Sequence, residues 1–320
     1  MPDKSASPKR NVPLVPTLIT LGLAGGVAAF AAQFYRHPTE TLNGFLRTRM
    51  LLVGAREETC DVGGLTMRYY CAGRRGTPLV LIHGLGGSAE AWVQLLPLLS
   101  KEYLVYAPDL PGFGKTPLAP EGYTIRTHVL YMKRFLDALG YPRVALVGNS
   151  LGGWIATMFA AEYPEQVEHL YLLNSAGLQR ENGYSPYATN REEAQRSMEY
   201  VAGHPFPVKL PGFVLDAIVN NSQTPAYRGF IEHYDKQEEL DTLLGQVQAP
   251  TTIIWGTADG LFPLTCAYDF QNGIANSKLI LLPGVGHVPQ AQATKTVAKI
   301  ILENASERNS NRPFIPEQKV

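Results

Sequence analysis

The sequence predicts an α/β protein: a doubly wound, mostly parallel sheet with a helical segment inserted late in the chain. Two observations carry that prediction. Six short apolar runs alternate with helical patterns: 77–84, 103–109, 143–150, 168–175, 251–256 and 278–284. Runs of this kind suit parallel strands buried on both faces. The alternation then breaks between about Leu178 and Ala249, where prolines and aromatics mix with helical stretches. An insertion of that size between two sheet strands reads as a lid over the strand C-terminal ends, where ligands bind in open α/β sheets.

The expected organisation is a tail and anchor over 1–36, a first core part over 37–177, a helical lid over 178–249, a second core part over 250–304 and a polar, unstructured tail over 305–320. No charge interrupts the run 11–35, which would be roughly 36 Å long as a helix at about 1.5 Å per residue and so long enough to cross a bilayer. Pro13 and Pro16 fall in its first turns, and Arg36, Arg47 and Arg49 follow it. The reading is a single membrane anchor of undetermined orientation. The alternative is a secretory signal, with Lys4, Lys9 and Arg10 ahead of the apolar stretch and Ala29-Phe30-Ala31 as cleavage site, leaving a secreted or periplasmic protein.

Glu57 to Ala72 reads as a hairpin turning at Gly63-Gly64. That register sets Cys60 opposite Met67, too far from Cys71 for a disulfide; with Cys266, all three cysteines read as free thiols. In 124–140, Val129, Met132, Phe135, Leu136 and Leu139 follow helical spacing, with Thr124 as N-cap and Gly140 just past the last turn.

The chemistry concentrates at Gly148-Asn149-Ser150-Leu151-Gly152, where an apolar strand meets a helix. Gly-x-Ser-x-Gly at such a junction is a nucleophile elbow. The turn is tight enough that side chains at 148 and 152 would clash, hence glycine at both. The bland alternative is a glycine-rich helix start with a capping serine. A serine hydroxyl needs a base, and the base needs an orienting acid, in the chain order Ser, Asp or Glu, His. Downstream histidines stand at 169, 204, 233 and 287. His287, in a glycine-rich loop past the last strand, is the expected base; His169 precedes a strand, and His204 and His233 fall in the lid. Asp259, after the penultimate strand, is the expected acid, with Asp269 further along a helix. The other acid position in such folds, the end of strand 168–175, carries Asn174 and Ser175. The oxyanion donors are expected to be the N–H groups of Leu151 and Leu85, with Gly86 as the alternative to Leu85. His83 and Asp109 read as loop-bracing rather than catalytic. Phe206, Leu210, Phe213 and Val214 are candidates for an acyl channel.

Composition narrows the function. Lys+Arg and Asp+Glu balance at 28 each, which gives no basic footprint for nucleic acid. There is no phosphate-binding glycine loop with its lysine and no metal-ligand spacing, so no cofactor is expected. The oligomeric state is not legible.

Taken together, "HGLGG", "DLPGFGKT", "GNSLGG", "WGTAD" and "GVGH", in that order, resemble the α/β-hydrolase superfamily from about Glu57 to Asn304. With the N-terminal anchor, "NSAGLQ" and "QVQAPTTIIWG" are similar to its membrane-associated monoacylglycerol lipase branch. That resemblance implies hydrolysis of acylglycerols or related carboxylic esters through an acyl-enzyme. "GNSLGG" is equally at home in C–C bond hydrolases of ring-fission products. Epoxide hydrolases and haloalkane dehalogenases share the fold with an aspartate nucleophile, and Ser150 argues against them. A non-catalytic ligand-binding protein on the same fold is the alternative from another class.

Overall fold

The computed structural model describes residues 38–178, 187–203, 208–232 and 239–311. The chain divides into two compact units, Met1–Gly44 and Phe45–Val320, and the sheet and site belong to the second. Its centre is one eight-stranded sheet: β1 (Arg56–Asp61), β2 (Thr66–Ala72), β3 (Thr77–Ile82), β4 (Tyr103–Pro108), β5 (Val144–Ser150), β6 (Val167–Ser175), β7 (Thr251–Gly256) and β8 (Ser277–Leu282). The order across the sheet is β1-β2-β4-β3-β5-β6-β7-β8. Pairing is antiparallel for β1 with β2 and for β2 with β4, and parallel from β4 through β8.

Burial on both faces explains why these strands are continuous apolar runs rather than alternating ones. Along β3, Val80 and Ile82 enter one core; Leu79 and Leu81 enter the other. The first core packs against the helices Ile125–Leu139, Leu151–Glu162 and Leu264–Gly273 through Phe135, Phe159 and Phe270. The second packs against Trp92, Leu96 and Leu99 and against Val297 and Ile301 of the last helix. Leu46 and Met50 of the helix Pro38–Leu52 add to this second face.

Local signals are realised where expected. Thr124 caps the helix Ile125–Leu139 by accepting from the Thr127 N–H, and Gly140 ends it at φ 72°. Cys60 pairs with Met67 across the hairpin, and all three cysteines are free. The connection from β6 to β7 carries the helices Arg191–Ala202, Gly212–Ser222 and Pro225–Glu232. One boundary differs: the last helix runs Thr294–Asn311 and takes in seven residues read as tail. Extending an existing helix costs far less than nucleating one, so polar residues such as those of 305–311 can continue it. The anchor candidate 11–35 lies outside the described residues, as does 312–320. Among the described residues no helix is long and apolar enough to cross a membrane.

Candidate active site

Ser150 is the last residue of β5 and immediately precedes the helix Leu151–Glu162. Its backbone lies at φ 56°, ψ −122°, a conformation that L residues with a side chain rarely hold. The surrounding glycines make this possible through the backbone rather than through each other's side chains. A Cβ on Gly148 would come within 2.6 Å of the Gly153 Cα; one on Gly152 would lie 2.6 Å from the carbonyl carbon of Ile82. The helix can therefore start directly against β5 and β3 only without those side chains. The Ser150 residue is half-buried, and Leu151 opens the helix, where an N–H has no intrahelical acceptor.

Asp259 lies in the loop after β7 and His287 in the loop after β8. The structure brings them together: His287 Nδ1 is 2.8 Å from Asp259 Oδ2, with side chains 5% and 1% exposed. The other carboxylate oxygen accepts the N–H groups of Leu261 (2.8 Å) and Phe262 (3.2 Å). Because Oδ2 faces Nδ1 and is an acceptor, Nδ1 carries the ring proton and Nε2 is left as the basic nitrogen. No hydrogen bond joins Ser150 Oγ to His287 among the described residues. Such nucleophile–base bonds are commonly long before a substrate enters and tighten in the reacting complex.

What ties the serine arm to the histidine arm is Asn149. Its side-chain nitrogen donates to the carbonyls of Leu173 (2.9 Å) and His287 (3.0 Å), while its oxygen accepts from Gln290 Nε2 at 2.9 Å. Asn174 does the corresponding work for the acid. At φ 42° at the end of β6, it donates to Asp259 Oδ2 (2.6 Å) and accepts the Gly256 N–H (3.0 Å). Thus the alternative acid position holds an amide that orients the Asp259 carboxylate. Neither asparagine was identified from sequence as a positioning group, although both stand inside motifs read for other reasons. The first insertion helix buttresses the same loops: His287 N–H donates to the Val201 carbonyl (2.8 Å) and Gly260 N–H to that of Tyr200 (3.0 Å).

The other sequence candidates separate cleanly. His83 is fully buried; its Nε2 accepts the Leu110 N–H at 3.0 Å, so Nδ1 donates to the Gly84 carbonyl at 2.8 Å. Burial holds its pKa below the ordinary value, and a neutral ring suits that pairing. Asp109 is a brace: its carboxylate accepts from the Ala89 N–H (2.7 Å), the Lys115 N–H (2.8 Å) and Arg68 (3.0 Å). Arg68 in turn grips Glu90 at 2.6 Å beneath the same loop. His169 is bound to Thr252 Oγ1 (2.9 Å) and stacks on Tyr171. His204, His233 and Phe206 lie outside the described residues. Leu210 packs against Ala188, Ala194 and Leu215 in a small core of the insertion itself; Leu210, Phe213 and Val214 are all half-buried.

The loop after β3 forms a tight turn closed by Gly87 N–H on the Gly84 carbonyl (3.0 Å). Neither Leu85 nor Gly86 donates its N–H to a backbone acceptor among the described residues. Leu85 and Gly86 thus stand in the loop after β3 with N–H groups free of backbone acceptors, and Leu151 stands at the first position of the helix that follows the elbow.

Comparison with known proteins agrees with this architecture. A family model for the alpha/beta hydrolase fold matches residues 77–294, more than half of the chain. A 2-hydroxy-6-oxo-6-(2'-aminophenyl)hexa-2,4-dienoic acid hydrolase of Metapseudomonas resinovorans is 29% identical over 272 residues, 79% of this chain and 91% of that protein. Lipase 1 of Psychrobacter immobilis is 27% identical over 242 residues, 70% of this chain and 75% of the lipase. The crystal structure of a membrane phospholipase A, described as a bacterial virulence factor, superposes with a TM-score of 0.75 at 27% identity, covering 92% of this chain and all of that one.

Proposed function

Because the chain belongs to the alpha/beta hydrolase fold family, we propose that it is a serine hydrolase of carboxylic esters, acting on monoacylglycerols or similar acyl esters through an acyl-enzyme. The observation that carries this reading is the His287–Asp259 pair at 2.8 Å, docked through Asn149 onto the strained turn that presents Ser150. His287 Nε2 takes the Ser150 proton as Oγ attacks the ester carbonyl. Asp259 holds the ring and offsets the imidazolium charge. The Leu85 and Leu151 amides receive the oxyanion. His287 then returns the proton to the leaving alcohol, and water repeats the cycle on the acyl-enzyme. No step calls on a metal or cofactor.

Lipase relatives and the likeness to a membrane phospholipase support the ester substrate class. A second reading has its own support: the hydrolase of a ring-fission product at 29% identity makes C–C bond hydrolysis the competitor. The same elbow serves both, so the substrate decides. The proposal also includes a membrane location through residues 11–35, with Leu52, 80% exposed, close behind that run. The mass of the membrane-extracted chain separates a retained anchor from a cleaved leader.

The expected outcome is covalent labelling of wild type by a fluorophosphonate, lost in Ser150→Ala and in His287→Ala. Ser150→Ala should lower kcat by about 10⁶ if the groups act as a unit. Turnover of monoacylglycerols and long-chain p-nitrophenyl esters, with none of a 2-hydroxy-6-oxo-dienoate, establishes the first reading; the reverse pattern establishes the second. Wild-type turnover retained in Ser150→Ala would falsify both.

A further inference from the structure

Resting on the oxyanion role proposed for Leu85, we propose that Asn221 of the insertion is a positioning residue for that donor, so that the oxyanion turn is set only while the helices 212–232 are seated on it. The turn runs Gly84-Leu85-Gly86-Gly87, with Gly86 at φ 69° and Leu85 outside the left-handed region. That is the type II pattern, which needs a residue without a side chain at its third position. Its first carbonyl, of Gly84, is held from the core side by His83 Nδ1–H at 2.8 Å and by the closing Gly87 N–H at 3.0 Å. The carbonyl of Gly86 is held from the helix Gly212–Ser222, by Asn221 Nδ2 at 3.0 Å.

These two anchors fix the peptide planes on either side of Leu85-Gly86. In a trans peptide, C=O and N–H point in opposite directions, so holding the Gly84 carbonyl directs the Leu85 N–H away from His83. Holding the Gly86 carbonyl orients the Gly87 N–H that closes the turn. Without Asn221, the Gly86-Gly87 pair has no side chain to keep that orientation, and glycine backbone is the freest of all.

The insertion is seated there by close packing at three glycines. A Cβ on Gly86 would lie 2.8 Å from both Asn221 Nδ2 and Tyr227 Cε2. One on Gly112 would lie 2.7 Å from the Ala226 Cβ, and one on Gly229 would lie 2.5 Å from the Tyr123 ring. The helix Pro225–Glu232 thus rests on the loops after β3 and β4 through contacts that admit no extra atom. Asn221 itself is exposed and contributes little packing, so its amide can be altered without opening a core.

The test is Asn221→Asp, which keeps the shape but places an acceptor where the Gly86 carbonyl needs a donor; Asn221→Ala removes the group. Both variants are expected to lose roughly 10- to 100-fold in kcat on p-nitrophenyl esters, below the loss of about 10²–10³ seen when an oxyanion donor is removed outright. KM should change less than twofold. Affinity for an alkyl boronate, which mimics the tetrahedral state, should fall by the same factor as kcat. The melting temperature should hold within about two degrees, as for a surface substitution. Wild-type kcat and boronate affinity in Asn221→Asp overturn the inference, as does a loss of kcat that tracks a loss of melting temperature. A wild-type chain that a fluorophosphonate does not label overturns the serine-hydrolase reading, and this inference with it; the two failures are distinguishable by which protein shows them.

Discussion

At the scale of single residues, the geometry of the site depends on amides as much as on the three side chains to which the proposed mechanism gives the chemistry. Asn174 spends both ends of its side chain, one on Asp259 and one on the Gly256 N–H. Its replacement by alanine leaves that N–H without its acceptor and lets the carboxylate turn. A lost buried hydrogen bond of this kind costs about 1–3 kcal/mol of folding stability, so Asn174→Ala is expected to lower the urea midpoint and, with Asp259 less firmly held, to lower kcat/KM as well. Slower but persisting fluorophosphonate labelling of Ser150 is the measurement that separates this from loss of the nucleophile. Sequence could point to Ser150, Asp259 and His287 because each stands at or just past the C-terminal end of an apolar strand, in a fixed chain order. It could not point to Asn149 or Asn174 as partners. Their bonds cross from β5 to the loop after β8 and from β6 to the loop after β7, and only the order of strands in the sheet makes those neighbours.

At the scale of elements, the loops after β3 and β4 are fastened from beneath by buried polar groups that are costly to protonate. Burial pushes the Glu90 carboxyl up, but its bonds and charge pairing with Arg68 outweigh this and bring it down to about 2. Burial, with His83 nearby, takes His128 from its ordinary 6.5 down to about 3, and its Nδ1 has no hydrogen-bond partner among the described residues. Both groups bind protons more readily in the unfolded chain than in the folded one. Their contribution to stability is complete above about pH 6.5, declines below it as unfolded His128 protonates, and declines further below about 4.5 through Glu90. The urea midpoint should therefore fall between pH 7 and pH 4. His128→Phe, which replaces one buried ring by another, should lose less of its midpoint over that interval; an equal loss would assign the acid sensitivity elsewhere. Strands and the helix Ile125–Leu139 were legible here because period and caps are local. The end of the last helix was not, since a polar run continues a helix when the preceding turns already exist.

At the scale of the whole molecule, the sheet is assembled from two stretches of chain separated by the insertion, and each supplies part of the site. Ser150 and its tight turn come from the first stretch; Asp259 and His287, the proposed acid and base, come from the second, and Asn149 reaches the His287 carbonyl across 138 residues of sequence. A chain truncated after β7 keeps Ser150 but lacks the proposed acid and base, and is expected to resist fluorophosphonate while the full chain reacts. The same separation has a meaning in time. At about 5–20 residues per second, a ribosome that has just made the elbow needs roughly 7 to 27 seconds to reach the imidazole. Throughout that interval the emerging polypeptide carries its serine without the proposed base, so under the proposed mechanism hydrolytic power is withheld from the translating cell until synthesis is all but finished.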